Sequence, residues 1–305
     1  MKTKNSVKGI VFLLTAAVVW GFAFVAQRVG SNVPVFTFNA SRYVLGTLSL
    51  IPVIALFEGK ARDRDKLIRT LKTGTLAGAF IWIASYLQQM GVVMTDYVGK
   101  CGFITGLYMI LVPIFGLFLG RKTNLWTWIG AVLGVVGLFF ICMSGGALTF
   151  TVGDILLILC AVFFAGQILV IDRYIDGVYP FRFSMIQFAV CAILNILGAV
   201  LTERARFSVS ALTDAAIPIL YCGILSVGVA YTCQVLGQRY SEPVSASILL
   251  STESVFSAVG GALILHERMA WTAYLGCALI FAGILLSQKK SWEIMRKNLP
   301  DRKIR

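Results

Sequence analysis

Stretches of about 20 apolar residues recur ten times along this chain of 305 residues, and no other property narrows its fold as far. A helix of that length crosses about 30 Å of hydrocarbon. The stretches fall near 9–28, 35–57, 72–93, 98–119, 125–144, 153–173, 182–202, 214–236, 243–265 and 270–288. Backbone amides in hydrocarbon must be satisfied within the segment that carries them, so each stretch reads as a helix. The expected fold class is an all-α integral membrane protein with ten transmembrane helices. The first stretch follows Lys2, Lys4 and Lys8, as the core of a signal peptide does, but its length and the nine that follow favour an uncleaved first helix. No hydrophilic block is long enough for a soluble domain. The longest loop, EGKARDRDKLIRTL at 58–71, is mixed in charge and expected at the membrane surface.

Composition then excludes several functions. The chain is 58% hydrophobic with a mean hydropathy of +0.84, outside the range of ordinary soluble domains. Its net charge of +13 does not point to nucleic acid, because the basic residues flank apolar stretches and form no continuous patch. With the N-terminus inside, 21 Lys and Arg fall on the cytoplasmic side. Only Arg28, Lys100, Arg204, Arg206 and Arg268 fall outside, and Arg42 lies within a span. Both termini are therefore expected in the cytoplasm. All seven cysteines lie within spans as small apolar residues, with no CxxC pair and no disulfide framework. One histidine, His266, excludes a His-rich metal site. There is no Walker loop, since Gly99-Lys100 runs into Cys101 without the earlier glycine, and no HExxH. The glycosylation pattern Asn39-Ala40-Ser41 lies inside a span and is discounted. No enzyme activity, cofactor or metal is expected.

The two halves repeat. Tyr86 and Gln89 precede Tyr231 and Gln234 by 145 residues, and Phe36 and Phe38 precede Phe181 and Phe183 by the same interval. Trp126-Thr127 matches Trp271-Thr272, and by Gly137 and Gly283 the offset is 146. Residues 1–147 and 148–305 each hold five spans, the second followed by a basic cytoplasmic tail. Five is odd, so the second repeat is inverted relative to the first. Inverted repeats are a mark of carriers that hold substrate near the midplane.

Candidate site residues are polar or aromatic side chains at helical spacing inside spans. Trp82, Tyr86 and Gln89 share one face of the third span and are expected to line a cavity, helix-to-helix polar contact being the plainer alternative. Trp20, Phe24 and Gln27 repeat that spacing in the first span; Gln167 is the lone amide within the sixth. Cys101, Thr105 and Tyr108 share a face of the fourth, where Pro113 permits a hinge. Tyr231 and Gln234 are the second-half counterparts of Tyr86 and Gln89. Lys100, at the start of its span, can snorkel to the interface. Arg42 reads first as a structural charge, snorkelling or pairing with a carbonyl or with Glu253. A carboxylate in mid-span costs about 2.5–3.5 kcal/mol on insertion scales. Glu253 therefore either exchanges protons, binds a cationic group of the substrate, or is a fixed packing residue. Ser247, Ser251 and Ser254 near it allow close helix approach.

Several ordered motifs carry a family resemblance. They are Ala16-Ala-Val-Val-Trp-Gly21, Arg42, Gly102-Phe-Ile-Thr-Gly-Leu-Tyr108 with Val112-Pro113, and Trp126-Thr-Trp-Ile-Gly130. The second half adds Gln238 to Pro243, Leu250-Ser-Thr-Glu-Ser-Val-Phe256, His266-Glu267-Arg268, and Leu275-Gly276 through Gly283. Over nearly its whole length the chain resembles the EamA-type members of the drug/metabolite transporter superfamily. Their fourth and ninth spans often carry a Leu-Glu-Pro-Val-Phe run; here Ser254 stands in place of that proline, which leaves the kink of the ninth span open. The resemblance implies a secondary carrier of small organic solutes, often an exporter of amino acids or related metabolites and drugs. It would work by alternating access in the cell membrane, with a cavity lined by spans one, three, four, six, eight and nine. Glycines such as Gly102, Gly106, Gly228 and Gly260 would let helices approach or bend. Aromatics, amides and one carboxylate suit a neutral, zwitterionic or cationic solute better than a phosphate, which needs cationic clamps. Membrane lipid is the other expected partner, and proton coupling through Glu253 is one of its readings. The alternative from another class is a facilitative channel or a non-transporting membrane scaffold or receptor.

Overall fold

The computed structural model describes residues 7–120, 125–144, 147–148, 150–268 and 270–287. The first half contributes α1 (Val7–Val29), α2 (Val35–Phe57), α3 (Arg64–Met94), α4 (Val98–Thr105), α5 (Tyr108–Phe118) and α6 (Leu125–Cys142). The second contributes α7 (Val152–Tyr174), α8 (Pro180–Thr202), the short α9 (Val209–Asp214) and α10 (Ala216–Leu220). It ends with α11 (Thr232–Tyr240), α12 (Pro243–Ser251), α13 (Glu253–Ile264) and α14 (Trp271–Ser287). Between α10 and α11, Tyr221–Tyr231 winds as an 11-residue π-helix, a geometry that elsewhere occurs mostly as single turns. The extended segments are a two-residue antiparallel pair, Met143–Ser144 with Ala147–Leu148.

Eight of these stretches are long and apolar enough to cross a membrane, from Val7–Val29 through Pro243–Ile264. The fifth and tenth expected spans correspond to α6 and α14, both apolar along the described residues. These two helices pack against each other, close enough that a Cβ on Gly283 would lie 2.6 Å from the carbonyl oxygen of Gly130. The polarity of the bundle is that of a protein dissolved in lipid. Leu56, Leu201 and Ile217 are about four-fifths exposed, whereas Gln89, Gln167, Gln187 and Asn195 are fully buried. The basic tail lies outside the described residues beyond Ser287.

Three expectations need correction. The loop at 58–71 is only partly a loop, because α3 begins at Arg64, where the Asp63 carboxylate accepts the Lys66 amide at 2.9 Å and caps the helix. With 31 residues, α3 is about 46 Å long, so its first turns project beyond the hydrocarbon. The fourth and ninth spans are both broken. The first breaks at Gly106–Leu107 rather than at Pro113, which lies inside α5, and the second breaks at Thr252. At each break the backbone tightens to three-residue bonds: Met109 N–H to Gly106 O and Ile110 N–H to Leu107 O, then Thr252 N–H to Leu249 O and Val255 N–H to Thr252 O. Around Thr252 hydroxyls take up the carbonyls. Ser251 donates to Ile248 O, Thr252 to Leu249 O, Ser254 to Ser251 O and Ser257 to Ser254 O, all at 2.7–2.8 Å. These bonds let a helix break in apolar surroundings without a proline. Lys100 does not snorkel. It is buried at the start of α4, 2.7 Å from the Asp154 carboxylate at the start of α7.

Two glutamates fix the central helices. Glu58, just past α2, accepts the amides of Phe181 and Arg182 at the start of α8, at 2.7 and 3.2 Å. Glu203, just past α8, accepts the amides of Phe36 and Thr37 at the start of α2, at 2.9 and 2.8 Å, and the Thr37 hydroxyl at 2.9 Å. The helices α2 and α8 are thus antiparallel, each ending in a carboxylate that satisfies the free N–H groups beginning the other. One end of the bundle, where α1 starts at Val7, gathers the Glu58 junction; the opposite end, at Val29, gathers the Glu203 junction. Two glycine pairs close the helix crossings. Gly9 meets Gly237 at the Val7 end and Gly91 meets Gly153 at the Val29 end, where an added Cβ would fall 3.0–3.4 Å from the opposing glycine's carbonyl oxygen.

Replacing Glu203 by Ala strands two helix-terminal amides and a hydroxyl. The expected loss is about 3 kcal/mol, with Glu203→Gln losing roughly half, measured by reversible unfolding in mixed detergent micelles.

Candidate functional site

Deep inside the bundle, α1, α2, α3, α5, α7, the π-helix, α11, α12 and α13 enclose a cavity. The volume open to the centres of water-sized molecules is about 30 Å³. Its wall combines aromatic rings, amides and two ionisable side chains, Arg42 and Glu253, both 3% exposed.

Each element aims its side chain for a local reason. The break at Thr252 makes Glu253 the first residue of α13, so the carboxyl group sits at a positive helix end midway along the apolar stretch Pro243–Ile264. Tyr108 is likewise the first residue of α5, after the matching break, and stands beside Glu253 on the cavity wall. On α2, Gly46 packs under Val227 of the π-helix, which draws α2 inward and carries Arg42 to the cavity. The Arg42 guanidinium lies 5.2 Å from the Tyr43 ring centre and 5.8 Å from that of Phe38. No ion pair joins Arg42 to Glu253 among the described residues, and both side chains stand on the wall of one cavity.

The π-helix supplies the opposite wall. Trp20 donates its indole N–H to the Ser226 carbonyl at 3.2 Å and meets the Tyr231 ring edge-on at 4.6 Å. Gln234 lines the cavity and exchanges two hydrogen bonds with Gln167, at 3.0 and 3.3 Å. Three buried polar atoms of the wall, Gln27 Oε1, Arg42 Nε and Tyr108 Oη, have no hydrogen-bond partner in the protein. Buried groups left without partners are uncommon and often mark a place where water or ligand completes the set.

Of the residues singled out by sequence, the structure gathers Trp20, Tyr108, Tyr231, Gln234 and Glu253 on this wall and brings Arg42 to it as well. Gln167 stands one layer behind, through its bond to Gln234. Thr105 is fully buried and does not line the cavity. The face expected on α3 is turned: Gln88, not Trp82, Tyr86 or Gln89, lines the space. Tyr86 stacks on Phe36 at 4.5 Å, Gln89 donates to the Gln27 carbonyl at 3.2 Å, and Trp82 packs against the hydrophobic core. Adjacent helical residues point about 100° apart, so the Gln88-Gln89 pair signals an amide toward the cavity without saying which. Ser226 is the contact that sequence alone could not find, because the π winding sets its direction.

Comparison with known proteins places these features in context. The EamA-like transporter family matches residues 7–143 and again residues 151–288. An uncharacterized transporter of Archaeoglobus fulgidus is 26% identical over 281 residues, covering 90% of this chain and 83% of its own. The uncharacterized transporter YoaV of Bacillus subtilis is 24% identical, covering 92% and 97%. A solved structure titled "Crystal structure of protein" superposes with a TM-score of 0.73 at 18% identity, covering 95% of this chain and 99% of its own. That last likeness concerns the fold.

The Gln167–Gln234 pair sets up a sharp test. Gln167→Leu or Gln234→Leu alone leaves a buried amide unpaired and is expected to cost about 1–3 kcal/mol. The double Leu variant is expected to recover much of that loss, so a double-mutant cycle in detergent unfolding reads a coupling of about 1 kcal/mol or more.

Proposed function

The chain belongs to the EamA-like transporter family, and from that premise we propose that it is a secondary carrier moving small zwitterionic solutes, amino acids or related metabolites, outward across the cell membrane. The observation that carries the substrate class is the joint presence of Arg42 and Glu253 on one buried, aromatic-walled cavity. A carboxylate on the solute matches the Arg42 fork, an ammonium group matches Glu253, and an apolar side chain matches Trp20, Phe164 and Tyr231. A phosphate dianion fits poorly, because one cation is offset by a carboxylate in the same space.

Alternating access is the proposed mechanism, built on two inverted five-helix repeats. Several features support this reading. The family matches the chain twice. Helix contacts come in exchanged pairs: α3 packs on α7 as α1 packs on α11 and the π-helix, and α3 on α8 as the π-helix on α2. Glu58 and Glu203 are 145 residues apart, as are Phe36 and Phe181, so the two carboxylate junctions correspond. The breaks at Gly106–Leu107 and Ser251–Thr252 match at the same interval. The basic residues at the Val7 end, among them Lys8, Lys60, Arg62, Arg64, Lys66, Arg69 and Arg182, favour a cytoplasmic Val7 end and both termini inside.

The reading is tested in proteoliposomes loaded with unlabelled amino acid. Labelled amino acid outside is expected to enter by saturable counterflow, while a channel would show no exchange. Arg42→Gln is expected to weaken apparent affinity about ten- to a hundred-fold, the loss of one charge-assisted hydrogen bond. Glu253→Gln is expected to remove the pH dependence of net flux while leaving the protein folded. Stabilisation by sugar phosphates and by no zwitterion would overturn the assignment of substrate class.

A further inference from the structure

A second concave site lies outside the carrier cavity, on the lipid-facing side of α2 and α8 at the Val29 end. It is a groove of about 680 Å³, floored by Thr37, Ala40, Ser41 and Val44 of α2 and walled by Ile196 and Val200 of α8. Phe207 and Leu212 close it from the segment that follows α8. The lining is predominantly apolar, and Ile196, Val200 and Phe207 are themselves 43–61% exposed, so the groove opens on the apolar belt of the bundle. Hydrocarbon is the medium there, and an apolar groove open to it fills with hydrocarbon.

Two features make this more than a wrinkle in the annulus. First, the groove is made by small residues. Counting 145 residues on from Thr37, Ala40 and Ser41 gives Arg182, Met185 and Ile186, so the matching place at the Val7 end carries bulkier side chains. There Phe57 and Phe181 also close together, with ring centres 5.8 Å apart. Second, the mouth is charged. Glu203 and Arg204 line it, and Arg206 follows on the same exposed turn. The Glu203 carboxylate is already matched by the amides of Phe36 and Thr37 and the Thr37 hydroxyl. The exposed guanidinium groups of Arg204 and Arg206 therefore set the character of the rim, at the level where α2 begins and a bilayer carries its phosphates.

We propose that this groove is a binding site for an anionic glycerophospholipid, one acyl chain lying along α2 and the phosphate against Arg204 and Arg206. The site requires the chain to be embedded in a membrane and does not require that it move any solute.

The test is native mass spectrometry of the full chain in detergent, titrated with phosphatidylglycerol, with phosphatidylcholine of the same chains, and with glycerol 3-phosphate. Phosphatidylglycerol is expected to bind one per chain and more tightly than phosphatidylcholine. Arg204→Gln and Arg206→Gln are each expected to weaken phosphatidylglycerol about five-fold and phosphatidylcholine, whose choline offsets the same phosphate, by less than two-fold. Filling the groove with Ala40→Leu and Ser41→Leu is expected to weaken both lipids together. Both arginines are exposed, so their variants read the site without disturbing the fold. Equal binding of the two lipids to the unaltered chain, or binding indifferent to the arginines, would mean annular lipid only and overturn the proposal. Glycerol 3-phosphate binding as tightly as phosphatidylglycerol would overturn it by showing a phosphate site that needs no chain.

Discussion

Helix ends inside or beside hydrocarbon have no water to satisfy them, and in this protein carboxylates meet that need. Glu58 and Glu203 close the ends of α2 and α8 on each other, and Glu267 accepts the amides of Val98 and Gly99 at the start of α4. Asp154 serves twice, in the capping box with Thr151 and as partner of Lys100. Each of these groups is costly to bury and is held by at least two donors, so each defines a position that the chain cannot vary without stranding polar atoms. The antiparallel α2–α8 pair is the result at the centre. Everything that reaches the cavity from α2, including Arg42, takes its register from that pair.

The second constraint is the break in two spans. A continuous helix would pass Tyr108 and Glu253 by as ordinary mid-helix residues. The break turns each into the first residue of a new helix, where N–H groups point past it and local polarity rises. The first break uses Gly106, and the second uses serine and threonine hydroxyls folded back on carbonyls three residues earlier. Two different chemistries therefore produce one geometry at corresponding places.

Much of this was legible beforehand because the bilayer imposes a length and a polarity on every span. The membrane setting, eight of the ten expected spans and the placing of Glu253 within one of them follow from hydropathy alone. What sequence could not supply depended on rotation and pairing. Helical spacing puts Trp82, Tyr86 and Gln89 on one face without fixing how that face is turned, and Gln88 is the α3 residue on the cavity wall. Lys100 looked free to reach the interface because its partner, Asp154, lies 54 residues away and only the α4–α7 contact unites them. The π-helix left no mark in composition, so Ser226 had no signal. Pro113 misled in the opposite sense: proline tolerates a helix interior when neighbouring contacts compensate, and Gly106 proved the weaker point.

The small central cavity has a thermodynamic consequence. Gln27 Oε1, Arg42 Nε and Tyr108 Oη on its wall are buried with no hydrogen-bond partner in the protein. Each gave up hydration on folding and gained no bond in return, a cost of about 1–3 kcal/mol apiece. A molecule that supplies the missing bonds does so only in the folded chain, where these atoms are brought together. Its binding therefore raises the free energy of unfolding with the logarithm of its concentration, so occupancy and stability rise together.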